Sequence, residues 1–116
     1  MGLDGAPTRL SNIFPNIVVT PGVVGLAEEA KAYWLLDAIA SHIAVRRAVV
    51  DRSDLWFWRI EVRPSGGAVL TCRLDGGIEP VITQDIAYTD FPLESADIWA
   101  GRNEIGGWTL YLPSEH

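Results

Sequence analysis

The chain has 116 residues, enough for one domain rather than two; 48% are hydrophobic and five are Trp, so it can bury a core and is not a disordered chain. Fifteen acids against nine bases leave a formal net charge of −6, which argues against a protein that coats nucleic acid or an anionic membrane unaided. A single cysteine, Cys72, and two histidines exclude an intramolecular disulfide and a cysteine-rich zinc site.

Residues 1–12, with Gly2, Gly5 and Pro7 and few apolar side chains, read as a flexible arm, and residues 13–116 as a single α+β domain. Between Phe14 and Thr20 the β-branched run suits a short strand, with Pro15 at its entry. Thr20 then offers a hydroxyl N-cap and Pro21 a preset φ, so a helix is expected to start there. Val23, Leu26, Ala27, Ala30, Trp34, Leu35 and Ile39 recur every three or four residues, which predicts one long helix over residues 22–45 with a broad buried stripe.

Beyond Ser53 the period changes to two. Trp56, Trp58, Ile60 and Val62 form one face of a strand and Leu55, Phe57, Arg59 and Glu61 the other. The turn Pro64-Ser65-Gly66-Gly67 leads into a second strand over residues 68–74, whose alternation puts Ala68, Leu70, Cys72 and Leu74 inside. Asp75-Gly76-Gly77 makes a second turn. Strands follow over residues 78–88, around Ile98 and Trp99, and from Trp108 to Leu112, the last with Trp108, Leu110 and Leu112 inward. Connections this short force antiparallel neighbours, so the expected architecture is one long helix packed on an antiparallel β-meander of four to five strands.

Charge divides unevenly. Residues 75–116 hold eight acids against Arg102 alone, net −7, while the first 74 residues are net +1. Arg46, Arg47, Arg52, Arg59, Arg63 and Arg73 face only three acids between positions 46 and 73. Two faces of opposite sign would make the molecule dipolar; neutralisation across adjacent strands is the ordinary alternative.

Catalytic constellations are thin. Cys72 and His42 supply a thiol and an imidazole, yet Cys72 falls on the core face, where a thiol behaves as a small hydrophobe. Asp37 lies in an apolar helical context without a second titratable group at a telling distance. The glycine pairs are hairpin turns rather than phosphate loops, and Asp75, Glu79 and Asp85 do not have the spacing of a calcium loop. No cofactor and no metal are expected. Leu55 and Phe57 point away from the core, and Trp99 follows an acidic stretch; exposed apolar groups ringed by charge suit a protein-binding patch, and homodimerisation through Leu55 and Phe57 is compatible with it.

Four segments carry a resemblance: residues 26–41, which include Tyr33-Trp34-Leu35-Leu36-Asp37-Ala38-Ile39-Ala40-Ser41; Ala68-Val69-Leu70-Thr71-Cys72; Tyr88-Thr89-Asp90-Phe91-Pro92-Leu93; and Leu112-Pro113-Ser114-Glu115. In this order they resemble the signature of a family of small uncharacterised bacterial and phage-associated domains. Residues 45–58 and the N-terminus depart from that pattern. The resemblance implies a setting among accessory genes of phages and other mobile elements. Small acidic domains from that setting include anti-CRISPR proteins, which occupy nucleic-acid-binding surfaces.

The resulting expectation is a non-enzymatic inhibitor in the cytoplasm of a bacterial host. It would set Asp75, Glu79, Asp85, Asp90, Glu94, Asp97 and Glu104, with Trp99 as anchor, against a basic surface such as that of a CRISPR effector. The alternatives are a nucleic-acid module using the region from Arg46 to Arg73, and a small enzyme using Asp37 or the pair Cys72 and His42.

Overall fold

Thr20 caps the first helix as its position suggests: Oγ1 accepts from the Val23 N–H at 3.4 Å, and Pro21 occupies the first turn of α1, Pro21–Ala30. A computed structural model describes residues 6–11, 13–74 and 79–116 of the chain. The long helix expected over residues 22–45 does not form. Lys31 adopts the left-handed conformation, φ 52° and ψ 46°, and ends α1. Its own N–H reaches the Glu28 carbonyl, while that of Ala32 reaches back to Ala27, the paired bonds of a Schellman closure. The second helix, α2, starts afresh at Tyr33 and runs Tyr33–Val45; a single further turn, α3, spans Arg47–Val50. Val23, Ala27 and Ala30 of α1 and Leu35, Leu36, Ile39, Ala40 and Ile43 of α2 enter one common core.

The strands are β1 (Thr8–Arg9), β2 (Ile17–Val19), β3 (Leu55–Val62), β4 (Ala68–Leu74), β5 (Ile82–Ile86), β6 (Ser95–Arg102) and β7 (Trp108–Tyr111). They form one seven-stranded sheet in the order β1-β2-β7-β6-β3-β4-β5. This corrects the expected meander in two respects. First, β6 does not follow β5 in space but returns to lie beside β3, so β3 to β6 make a Greek key. The connection, residues 87–94, crosses the β3–β4 turn, with the Thr89 N–H bonded to the Gly66 carbonyl and Phe91 buried in the core.

Second, the sheet is mixed, because β2 runs parallel to β7, with Ile17, Val18 and Val19 beside Trp108, Thr109 and Leu110. The Trp108 N–H donates to the Asn16 carbonyl at 2.9 Å. At the neighbouring Gly107 a Cβ would collide with that same carbonyl oxygen, so the approach of these strands depends on glycine. Thr8 and Arg9, within the segment read as an arm, pair with Val19 and Val18 as an edge strand. Residues 1–5, Asn12 and the turn Asp75-Gly76-Gly77 lie outside the described residues.

Alternation fixes the two faces of the sheet. Trp56, Trp58, Ile60, Leu70, Cys72, Ile98, Ala100, Trp108 and Leu110 are buried beneath the helices. Trp56 Nε1 donates to the Val50 carbonyl at 2.7 Å, tying α3 to β3. The helices α1, α2 and α3 leave the opposite face open, and a 3-10 turn, Pro113–Glu115, packs beside β6 and brings His116 to Trp99.

Candidate binding surface

The open face is built from the odd positions of β3 and the residues in register with them. Phe57 lies opposite Trp99, and Trp99 opposite Tyr111, so three neighbouring strands align three aromatic rings in one row. The Phe57 and Trp99 centroids are 4.6 Å apart with planes inclined at 37°. Trp99 meets Tyr111 edge-on at 6.2 Å and His116 edge-on at 5.2 Å. Tyr111 Oη and His116 Nδ1 share a hydrogen bond of 2.9 Å, and burial raises the phenol pKa. Phe57, Trp99 and Tyr111 are each partly buried. Arg73 stands opposite Phe57 on the other side of the row.

The next row is polar. Arg59 lies opposite Asp97, and its Nη1 donates to Asp97 Oδ2 at 2.7 Å; Nη2 donates to Ser95 Oγ at 3.2 Å and Nε faces Glu61 at 3.8 Å. The hydrogen bond to Asp97 raises the guanidinium pKa against the cost of burial, so this charge is fixed at any ordinary pH. Thr71, opposite Arg59, is buried, and its hydroxyl has no partner among the described residues. An aromatic strip therefore borders a charge-neutralised one on the same open face.

The acidic residues singled out from the sequence do not come together. Asp97 is spent on Arg59, and Asp85 pairs with Arg63 at 3.1 Å. Glu79 and Glu104 lie at the sheet end where β4 and β6 finish, whereas Asp90 and Glu94 lie where β6 begins. Those ends are separated by the length of an eight-residue strand, about 25 Å. None of these four forms an ion pair among the described residues. Asp75 lies outside them. Arg102, the one base of the acidic segment, donates to Asp54 at 3.0 Å and Asp51 at 3.1 Å and stacks 4.4 Å over Trp108.

No hydrogen bond or ion pair among the described residues joins the groups considered for catalysis. Cys72 is fully buried, and desolvation pushes its thiol up to about 12. His42 lies over the Trp58 ring at 5.7 Å, and its Nε2 bonds Gln84 Oε1 at 2.7 Å. Asp37 is exposed on α2. Among the described residues no three His, Cys, Asp or Glu side chains are grouped to hold a metal, and no helix is long and apolar enough to cross a membrane.

Tyr111 of the aromatic row, and His116 beside it, escaped the sequence reading. Tyr111 had a signal, since it alternates with the inward Trp108 and Leu110, but only the return of β6 to β3 places Trp99 between it and Phe57.

Neither the curated proteins nor the solved structures contain a match to this chain. One family model does match, over residues 5–116, and covers nearly the whole molecule. The chain therefore belongs to the family of unknown function DUF6876.

Proposed function

We propose that this domain works by binding a protein partner through its open sheet face, with Phe57, Trp99 and Tyr111 as the anchoring row. The observation that carries this reading is the register of three aromatic residues on adjacent strands of the face turned away from α1 and α2. Aromatic side chains bring large contact area at little conformational cost, and their partial burial leaves apolar surface for a partner to remove from water. The neighbouring Arg59 and Asp97 pair would set orientation more than affinity, because it is already neutralised within the chain.

An inhibitor that lays carboxylates along the basic groove of a CRISPR effector is a narrower form of this reading. Glu79, Glu104, Asp90 and Glu94 favour it, being exposed and without arginine partners among the described residues. Their division between two ends of the sheet weighs against one continuous acidic contact. The aromatic reading gains the stronger support.

Affinity capture from a lysate of the source organism separates the two. Trp99→Thr should lose whatever the unaltered protein captures while keeping its circular dichroism spectrum. A Glu79→Lys, Asp90→Lys, Glu104→Lys triple variant should capture it still. Loss with the triple variant and retention with Trp99→Thr would move the interface to the acidic loops.

A further inference from the structure

A cleft of about 200 Å³ opens on the helix-covered side of the molecule, away from the aromatic row, between the end of α2, α3, the segment before β2 and the β6–β7 turn. Its walls include Phe14, Ile17, Ile43 and Trp108. Its charged members are Arg47, Asp51 and Arg102; Asp51 and Asp54 together answer Arg102, which leaves Arg47 as the positive charge at the cleft. Arg102 commits Nε to Asp54 and Nη2 to Asp51, and Arg47 forms no ion pair among the described residues. Arg47 thus offers an uncommitted cation beside an apolar hollow.

The surroundings favour a macromolecular occupant. Ile13, which lines the cleft, is 80% exposed and carries its apolar wall out into solvent. The volume also falls below the roughly 300–1,000 Å³ of small-molecule pockets, and is on the scale of a single anchor side chain.

We propose that this cleft receives a segment of a protein partner that presents one aromatic or large aliphatic side chain flanked by carboxylates. The anchor enters between Phe14, Ile43 and Trp108, and a flanking carboxylate meets Arg47. This surface is independent of the aromatic row, so either assignment survives failure of the other.

Amide NMR titration with the capped tripeptide acetyl-Asp-Phe-Asp-amide tests it. The expected result is saturable shifts at Ala44, Gly106 and Gly107. They should weaken about tenfold in Arg47→Glu, the loss of one partly desolvated ion pair. They should weaken comparably in Ala44→Phe, which narrows the cleft from an exposed helix position, and stay unchanged in Trp99→Thr. The charge-reversed acetyl-Lys-Phe-Lys-amide and the anchorless acetyl-Asp-Ala-Asp-amide should bind weakly to the unaltered protein. Equal binding of all three peptides, shifts elsewhere, no shifts, or indifference to both cleft variants overturns the proposal. So does benzoate binding as tightly as the peptide, which marks a small-molecule site, or self-association that fills the cleft, which marks a second copy.

Discussion

Glu115 joins the two ends of the described chain. Its carboxylate accepts from the Thr20 hydroxyl at 2.7 Å, the Leu112 N–H at 2.8 Å and the Gly22 N–H at 3.2 Å. Desolvation works to raise its pKa, but these three bonds prevail and hold it below the ordinary 4.5. A depressed folded-state pKa contributes stability that is present above the unfolded value and lost as pH falls through the folded one. Acid titration of the melting temperature should therefore show a loss beginning near pH 4.5 that Glu115→Gln removes, with that variant less stable at pH 7 by about 0.5–1 kcal/mol. An identical acid dependence in the variant would assign the loss to other carboxylates. Cys72 behaves in the opposite sense. Its thiol is raised from 9.0 to about 12, so its contribution is whole below pH 9 and disappears as pH rises toward 12. Iodoacetamide at pH 8 should leave the native protein unlabelled and modify Cys72 in urea; rapid native labelling would mean that the strand opens readily. The inward placement of Cys72 was legible, because alternation in β4 needs only local sequence.

At the scale of elements, strands were easier to read than their neighbours. The two-residue period over β3 and β4 gave both boundaries and, except for Leu74, which was expected inside and is exposed where β4 ends, the faces; the Thr20-Pro21 start of α1 was equally local. The break between α1 and α2 was not, because residues 26–36 contain neither Gly nor Pro, and the left-handed position is held by lysine. A non-glycine residue pays about 1–2 kcal/mol for that conformation, which the closure bonds and the burial of both helices offset. Lys31→Gly should then raise stability by about 0.5–1 kcal/mol, or a few degrees in thermal melting. A lowered melting temperature would indicate that the lysine side chain contributes more than its backbone costs. The pairing of β2 with β7 was out of reach for another reason: it joins residues some ninety positions apart, and only the collision of any larger residue at Gly107 with Asn16 betrays it.

For the whole molecule, net charge proved a poor guide to surface. The −7 of residues 75–116 is real in sequence, yet folding brings Arg59 to Asp97 and Arg63 to Asp85. Exposed pairs of this kind add little stability, about 0–1 kcal/mol each, but they take two of the eight acids out of the one-signed field that a steering surface needs, and Glu79 and Glu104 lie at the opposite end of the sheet from Asp90 and Glu94. The aromatic row shows the converse. Phe57 and Trp99 were visible as outward residues, while their alignment with Tyr111 emerges from the Greek key. Hydrogen–deuterium exchange on the complex with a captured partner tests the row most directly. Protection should concentrate on peptides covering residues 55–61, 95–101 and 108–111. Protection confined to the helices or to residues 79–94, with those strands exchanging as in the free protein, would contradict the assignment.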